Sequence, residues 1–320
     1  MVTRKQLTLA LALLVAWVGG ASAASHLLLI GVERYPALAA NRQLRGVSND
    51  LALLRDTLGR LLQPITLIEL SDRPEAGGRA TRGAIGVALQ ETAAKAQAGD
   101  WVVLYAAGHG TQAPAIREAG NVEADGLDEV FLPGDIQSWD AQAGVLRGGL
   151  YDNTLRQWAG ELARKQVSLW LIFDSCHAGD MAKAYQPGSE RRLRSVPPAE
   201  LGIPPARQKA AVRPLWPDRV SKGGGARLVA FYATQANEST YEEPVRLADG
   251  RVRSHGIFSY TLARALDGVP PADIEAVAQR IRASYRDEGR LFPHPAFEGA
   301  LIGSRPWASP APLILRKGVP

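Results

Sequence analysis

Residues 101–110 read WVVLYAAGHG and residues 167–177 read VSLWLIFDSCH, and these two stretches decide the fold. Each begins with an apolar run, 101–107 and 167–173, in which Ser168 is the one clearly polar residue, and both runs have the length and composition typical of a buried strand. Each run is followed at once by polar residues that can carry chemistry. Strands buried on both faces belong to parallel sheets, in which the carboxyl ends of neighbouring strands lie at one edge. Both polar clusters are therefore expected at the same edge of one sheet.

Outward from these strands, further strands and helices alternate along the chain. Similar apolar runs predict strands at 26–32, 65–70 and 227–234. Helical spacing of apolar residues predicts helices beginning at Ser48, at 81–98 and 151–165, and from Ile257 and Ala272. Alternation of this kind predicts an α/β fold, with a mostly parallel sheet sandwiched between helices in three layers (αβα).

The composition excludes several classes of protein. A chain of 320 residues that is 46% hydrophobic and 22% charged can bury a sizeable core, which excludes a disordered or collagenous chain. One cysteine excludes an intramolecular disulfide framework and every multi-cysteine zinc or iron–sulfur site, and the five histidines form no HExxH array. The net charge of +5 is concentrated in one segment, so we expect no nucleic-acid partner.

The amino terminus predicts export. Arg4 and Lys5 precede an apolar stretch, 7–18, and small residues at 21–23 match an A-x-A cleavage site, so residues 1–23 are expected to be a secretory signal peptide. The mature protein would start near Ala24, in the periplasm or outside the cell, without a stable membrane span. The alternative is an uncleaved anchor, because 7–24 comprises 18 residues, close to the lower limit for crossing a bilayer.

The lone cysteine and a histidine form the candidate catalytic pair. Neighbouring strand ends can bring His109 within reach of Cys176 at a solvent-accessible rim of the sheet, which would supply a nucleophile and its general base. A thiolate attacks a carbonyl, and the protonated imidazole then delivers a proton to the leaving amine. The backbone N–H groups of Gly110 and Cys176 are candidates for an oxyanion hole.

Other interpretations of these residues remain open. A lone cysteine is most often a small buried hydrophobe, and a lone histidine is often structural. Gly108, Gly110 and Ala113 imitate a dinucleotide-binding fingerprint, but Pro114 follows and no helix begins there. In a third interpretation, an α/β-hydrolase nucleophile elbow, Cys176 would need glycines where Asp174 and Ala178 stand, and its base would be His255 or His294.

Two aspartates predict a pocket for a cationic side chain. With period two along a strand, Asp174 faces the same side as Cys176, where a carboxylate would raise the thiol pKa and hinder catalysis unless it binds something else. Asp50 also follows a strand end, and paired carboxylates are good acceptors for Arg. The alternative for Asp50 is a simple helix cap in the cluster Ser48-Asn49-Asp50.

The regular pattern stops in the segment 181–227. It contains ten Lys or Arg residues against three acidic residues, together with many prolines and three consecutive glycines. A stretch of this length without predicted elements is uncommon inside a domain, and it is either functional or a solvated insertion.

Five short segments carry a resemblance to a known family: AAGHG (106–110), FDSCHAGD (173–180), LRGVSND (44–50), DGLDEVFLPGD (125–135) and HGIFSY (255–260). Taken in their order along the chain, these segments resemble the caspase-like (C14-type) cysteine peptidases, most closely the metacaspase and bacterial caspase-domain branch. The resemblance covers nearly all of residues 26–300. It implies a caspase-like domain over 24–305, made of a large part (24–180), a basic linker (181–227) and a small part (228–305), before a tail at 306–320.

The same resemblance implies roles for individual residues. It implies His109 as base, Cys176 as the nucleophile that forms a thioester, Gly110 as an oxyanion donor, and Asp50 with Asp174 as the pocket for Arg or Lys. The expected activity is endopeptidase cleavage of protein or peptide substrates after Arg or Lys, with self-processing in the linker. A catalytically silent caspase-like binding or scaffold protein is the alternative.

The chain also departs from the family pattern. Ala107 stands where metacaspases often carry Ser, and Val47 stands where many carry Cys. Many relatives need Ca²⁺, for which Asp125, Asp128 and Glu129 would supply oxygen ligands. Lys183 stands near the position of a further acidic ligand, so Ca²⁺ is a possible cofactor and not a required one. The other interpretation of DGLDE is a solvated turn before a strand at 130–135.

Overall fold

Six strands form the central sheet of the protein. The computed structural model describes residues 23–63, 65–73, 76–116, 126–176, 190–205, 225–235, 238–268 and 271–307. The strands of the sheet are β1 (Ser25–Gly31), β2 (Ile65–Leu70), β3 (Trp101–Ala107), β9 (Ser168–Asp174), β11 (Leu228–Tyr232) and β14 (Ala296–Gly299). Their spatial order is β14-β11-β9-β3-β1-β2, and all neighbours are parallel except the edge pair β11 and β14.

Helices cover both faces of this sheet. The five α-helices of the described residues are α1 (Val47–Leu61), α2 (Arg82–Lys95), α3 (Asp152–Arg164), α4 (Ile257–Leu266) and α5 (Ile274–Asp287). Helix α4 packs against both α1 and α5, whereas α2 packs against α3 on the other face. The predicted fold class, a mostly parallel sheet in a three-layer αβα arrangement, is confirmed.

Small antiparallel sheets extend beyond the central sheet. They are formed by β4 (Gly110–Pro114), β5 (Leu127–Phe131) and β8 (Leu150–Tyr151), by β6 (Trp139–Asp140) and β7 (Val145–Leu146), and by β10 (Arg192–Leu193), β12 (Tyr241–Arg246) and β13 (Val252–Gly256). Apart from a strand expected at 130–135, which overlaps β5, these short strands were not predicted, because their residues lack a long apolar run or a clear alternation.

The core explains why the long strands were recognisable. Strands β1, β3 and β9 are buried along their whole length, so nearly every position in them is apolar. Each predicted strand and helix begins within a few residues of the observed one, whereas β14, at the antiparallel edge of the central sheet, was not predicted. The strand β9 is one residue longer than predicted at its carboxyl end and includes the fully buried Asp174.

The basic segment is only partly as expected. Residues 190–205 contain β10 and a short 3-10 helix, Pro198–Leu201, and they bury Arg194, Val196 and Ile203. A solvated insertion is therefore wrong for this part of the segment. Residues 181–189 and 206–224 lie outside the described residues, as does nearly all of the predicted signal peptide. Within the described ranges, no helix has the length and apolar character needed to cross a bilayer.

Candidate active site

The two strand-end clusters meet at one edge of the sheet, as the sequence predicts. In the parallel register of β3 and β9, Ala107 lies beside Asp174, so the loops that follow run side by side. The approach is so close that a Cβ atom on Gly110 would lie 1.9 Å from the carbonyl oxygen of Cys176. Only glycine fits there without moving backbone.

The cleft between these loops is closed by the chain itself. The carbonyl oxygen of Arg194 accepts hydrogen bonds from the N–H groups of both Gly110 and Cys176, each with an N···O distance of 3.1 Å. His109 and Cys176 are 1% and 0% exposed. The expected solvent-accessible rim is therefore wrong for this state, because the segment around Arg194 covers it.

The covering segment, residues 190–205, crosses the cleft in an extended conformation on both sides of Arg194. On one side of Arg194, β10 pairs antiparallel with β12, and the Arg194 N–H donates to the Thr240 carbonyl at 3.0 Å. On the other side, the Val196 N–H donates to the Gly110 carbonyl at 3.1 Å, and the Thr111 hydroxyl donates to the Val196 carbonyl at 2.8 Å. The backbone is thus held on both sides of Cys176.

The guanidinium of Arg194 fills a buried acidic pocket. Its Nη1 lies 2.9 Å from Asp174 Oδ2, and its Nη2 lies 2.5 Å from Asp50 Oδ2 and 3.4 Å from Glu242 Oε2. Burial by itself lowers the pKa of Arg194, but the surrounding carboxylates outweigh this effect and raise it well above its ordinary value. The guanidinium is therefore charged, and the two aspartates do converge on a cation.

Asp50 is not a helix cap. Helix α1 begins at Val47 and its N-cap position is Gly46, without a capping side chain. The Asp50 carboxylate instead accepts hydrogen bonds from the Gly256 N–H at 3.0 and 3.2 Å and pairs with His255 Nδ1 at 2.9 Å. The capping alternative is wrong, because the carboxylate points into the fold and away from the free N–H groups of the helix.

The remaining carboxylates of the pocket are strongly held. Asp174 accepts from the N–H and hydroxyl of Ser259 at 3.2 and 2.5 Å, and Glu242 accepts from the N–H of Arg45 at 2.6 Å. Burial raises the pKa of Asp174 and of Glu242, although the charge of Arg194 lowers both. Glu242 and Ser259 were not among the predicted site residues. The HGIFSY segment was a signal for Ser259, but its contact with Asp174 could not be assigned from spacing.

The Cys176 thiol is in an unreactive state. The Thr240 N–H donates to Sγ at 2.9 Å, and Sγ lies 3.3 Å from the Thr240 carbonyl oxygen, which can accept the thiol proton in a hydrogen bond. Burial raises the pKa of Cys176 to about 12, and the negative charge of Asp174 contributes in the same direction. The expected effect of Asp174 on the thiol is therefore present, with burial as the larger cause.

The His109 imidazole is turned towards a backbone carbonyl. Its Nε2 lies 2.6 Å from the Arg42 carbonyl oxygen, which assigns the ring proton to Nε2, and its buried Nδ1 has no hydrogen-bond partner among the residues that the structure describes. Burial lowers the pKa of His109 to about 4. Although the structure describes both His109 and Cys176, no hydrogen bond joins their side chains.

A link connects this histidine to the far end of the covering segment. Arg42 forms a bidentate ion pair with Glu200, with Nε 2.9 Å from one carboxylate oxygen and Nη2 in contact with the other. Glu200 belongs to the short 3-10 helix that follows Val196. The carbonyl that holds His109 is thus itself held by the segment that closes the cleft.

The residues considered for Ca²⁺ do not form a joint site as far as they are described. Asp128 is buried and accepts from the Ile116 N–H at 2.9 Å and from Asn153 Nδ2 at 3.0 Å. Glu129 follows it in β5, and adjacent strand residues point to opposite faces. Asp125 and Lys183 lie outside the described residues, and within the described ranges no group of three His, Cys, Asp or Glu side chains is arranged to hold a metal ion.

The alternative base residues are engaged elsewhere. His255 pairs with Asp50, and His294 Nδ1 lies 2.6 Å from Glu238 Oε1. No described contact brings either imidazole to Cys176, which argues against the α/β-hydrolase interpretation.

Comparison with known proteins identifies similar sequences and a similar fold. Residues 26–184 match the family described as "Metacaspase, peptidase C14 domain". The chain is similar to Metacaspase-7 (29% identical over 49% of this chain) and Metacaspase-9 (31% over 43%) of Arabidopsis thaliana, but the matches span only 36% and 39% of those relatives. Protein GSU0716 from Geobacter sulfurreducens has a similar fold, with a TM-score of 0.57 and 20% identity over 87% of this chain and 93% of that one. Residues 26–184 thus form a metacaspase-type domain of the caspase-like C14 peptidases.

Proposed function

We propose that the protein is a cysteine endopeptidase that cleaves after Arg or Lys, and that it processes itself between Arg194 and Ser195. One observation carries the proposal. The Arg194 side chain fills the acidic pocket while its carbonyl oxygen accepts from the N–H groups of Gly110 and Cys176 at 3.1 Å. This is the position of the residue before a scissile bond, with its carbonyl in an oxyanion hole.

The reaction uses the Cys176 thiol, the His109 imidazole, the two backbone N–H groups and a water molecule. His109 takes the thiol proton of Cys176, and the thiolate attacks the Arg194 carbonyl carbon, forming the C–S bond. The two N–H groups stabilise the negative oxygen of the tetrahedral intermediate. The C–N bond then breaks, and His109 gives its proton to the departing amine of Ser195. Water hydrolyses the thioester, which regenerates the thiol and releases a carboxylate.

The closed state precedes this reaction. A thiol with a pKa of about 12 and an imidazole held by the Arg42 carbonyl cannot react until the ring turns and the cleft admits water. Cleavage of the Arg194–Ser195 bond would free the residues on both sides of it, and the pocket would then accept other substrates. The basic linker (181–227), which joins the large and the small part of the domain, would thus be the first substrate of the enzyme.

The pocket favours Arg over Lys. The two terminal nitrogens of Arg194 contact different carboxylates, Asp174 through Nη1 and Asp50 through Nη2. A planar guanidinium serves both acceptors at once, whereas an ammonium is a point charge. We therefore expect cleavage after both residues, with a higher kcat/KM for Arg.

The test uses fluorogenic peptides that end in Arg, Lys or Asp, together with mass spectrometry of the chain itself. We expect turnover of the Arg and Lys peptides only, and a fragment that begins at Ser195. Both are lost in Cys176→Ala. Asp174→Asn lowers kcat/KM for the Arg peptide by about 100-fold, because a charged hydrogen-bonded partner is removed. The exposed Asp267→Asn, 72% exposed in its side chain, is the matched control.

A catalytically silent binding or scaffold protein is the second candidate. The observation that favours it is the closed cleft, in which His109 and Cys176 are both sealed. Absence of thiol-dependent turnover after prolonged incubation, with or without added Ca²⁺, would support this candidate and contradict the peptidase.

We also propose that the protein is exported to the periplasm or beyond. The support is the sequence of residues 1–23, with its basic start, apolar middle and small-residue end. Expression of the full chain followed by amino-terminal sequencing tests this proposal, and we expect a mature protein that begins near Ala24.

A further inference from the structure

A second basic residue of the covering segment has its own binding site. The Arg191 guanidinium lies over the ring of Tyr241, 4.6 Å from its centroid, and its Nε donates to Glu243 Oε2 at 2.9 Å. An aromatic face and a carboxylate together are well suited to bind a guanidinium. Both contacts come from β12, the strand that pairs with the segment in the cleft.

This cation site is held in shape by a neighbouring arginine. Arg290 Nη1 donates to Glu243 Oε1 at 3.0 Å and to the Tyr241 hydroxyl at 3.1 Å. The Glu243 and Arg290 side chains are only 17% and 18% exposed. Because Arg290 uses Oε1 of the carboxylate, Oε2 remains directed at the position of Arg191. The site would therefore keep its geometry after the segment leaves.

The register of the segment fixes which substrate residue would reach the site. Arg192 pairs with Glu242 and Leu193 pairs with Tyr241, which places Arg194 in the acidic pocket. An extended peptide in the same register brings the residue three positions before the cleaved one to the place of Arg191.

We propose that Tyr241 and Glu243 form a subsite that selects Arg at the fourth position before the cleaved bond, P4. The substrates would be peptides with two arginines, at P4 and P1, separated by two residues. This inference rests on the proposed function, because it assumes that other substrates bind as the segment does.

The positions between these arginines are less strongly specified. Arg192 reaches a backbone carbonyl, donating from Nη1 to Gln43 O at 2.8 Å, and it borders a cavity of about 560 Å³ together with Arg42 and Arg45. A cationic side chain at P3, the position of Arg192, lies near the cationic side chains of Arg42 and Arg45. Its binding is therefore less favourable than that of a cationic side chain beside Glu243. We expect selection at P4 to exceed selection at P3.

The experiment compares two fluorogenic peptides, acetyl-Arg-Arg-Leu-Arg and acetyl-Ala-Arg-Leu-Arg, each with a fluorogenic amide at the carboxyl end. The enzyme is the full chain after incubation for self-processing. The cation–π contact and the ion pair of Arg191, whose side chain is 33% exposed, predict a kcat/KM about tenfold higher for acetyl-Arg-Arg-Leu-Arg than for acetyl-Ala-Arg-Leu-Arg. Glu243→Gln should reduce this ratio to about threefold or less, and Tyr241→Leu should also lower it. Glu161→Gln, on an exposed face of α3, should leave it unchanged.

Turnover of the Ala peptide reports folding and the basic reaction in every variant. Equal kcat/KM for the two peptides in the wild type, or an unchanged ratio in Glu243→Gln, would overturn the subsite and leave the peptidase intact. If the wild type cleaves neither peptide, the proposed function and the subsite are both wrong.

Discussion

Removal of the Arg194 side chain should open the cleft and make Cys176 reactive. Arg194→Ala would leave Asp50, Asp174 and Glu242 in a buried pocket without their cation. Breaking a buried ion pair in this way costs about 3–5 kcal/mol, and the structure can avoid that cost by admitting water and releasing the segment. The thiol then leaves the buried environment that raises its pKa to about 12.

The expected magnitude follows from this pKa. At pH 7.5, a fall in the thiol pKa from about 12 to about 8.5 increases the thiolate population by about 3,000-fold. The less basic thiolate is intrinsically less nucleophilic by about 40-fold, so labelling should become about 10²-fold faster. Better access of the reagent adds to this figure. The chain has one cysteine, so every label reports on Cys176.

The assay measures iodoacetamide labelling by intact-protein mass spectrometry. Both proteins carry His109→Ala to stop self-cleavage, so His109→Ala alone is compared with the double variant that also carries Arg194→Ala. Arg246→Ala, on the exposed part of β12, is the matched control and should label as slowly as the parent. Labelling at the same slow rate in the Arg194 variant would refute the role of this side chain in closing the cleft.

Other perturbations of the closed site have distinct expected outcomes. Gly110→Ala places a Cβ atom 1.9 Å from the Cys176 carbonyl oxygen and displaces the proposed oxyanion donor, so turnover of the peptide that ends in Arg should fall by at least about 100-fold. Glu200→Gln loosens Arg42, whose carbonyl holds His109, and should speed self-cleavage several-fold in a timed gel assay. Burial holds the pKa of His109 at about 4, below its unfolded value near 6.5, so the folded chain binds fewer protons in this window. Urea unfolding of a Cys176→Ala chain should therefore show a stability that falls by up to about 3 kcal/mol as pH is lowered from 6.5 to 4, and less in its His109→Gln derivative.

Each of these perturbations has a control and a contradicting result. Gly59→Ala, which meets no atom within 4 Å, should keep full activity, and activity in Gly110→Ala within about threefold of the wild type would contradict the steric argument. For Glu200→Gln the control is Glu161→Gln, which should cleave itself at the wild-type rate. If Glu200→Gln also cleaves itself at the wild-type rate, the Arg42–Glu200 ion pair does not restrain His109. Identical pH dependence with and without the imidazole would show that His109 does not titrate in this window.

Much of the fold could be predicted from the sequence because its signals are local. A strand buried on both faces must be apolar at nearly every position, and this is true of β1, β3 and β9. The short strands β10 and β12 gave no such signal, because they pair at the cleft with only some of their residues buried. The position of α1 likewise followed from the spacing of its leucines, of which Leu51, Leu54 and Leu58 are fully buried.

The candidate site was only partly predictable. Cys176, His109 and Gly110 stand directly after recognisable strands, so their proximity follows from parallel pairing. The prediction that they lie at an exposed rim was wrong, because exposure depends on what a distant segment covers. Glu242 could not be distinguished from Glu243 in the sequence, although one points into the acidic pocket and the other towards Arg191.

The sequence by itself determined the layered fold, the edge at which chemistry is expected, and the identity of the thiol, the imidazole and two carboxylates. Only the tertiary structure decided that Arg194 occupies the pocket, that Glu242 completes it, and that His109 faces the Arg42 carbonyl. The physical reason is the range of the interactions. The burial of a strand can be predicted from the apolar character of consecutive residues. Arg194 and Asp50, in contrast, are 144 positions apart, and their contact depends on the path of the whole chain.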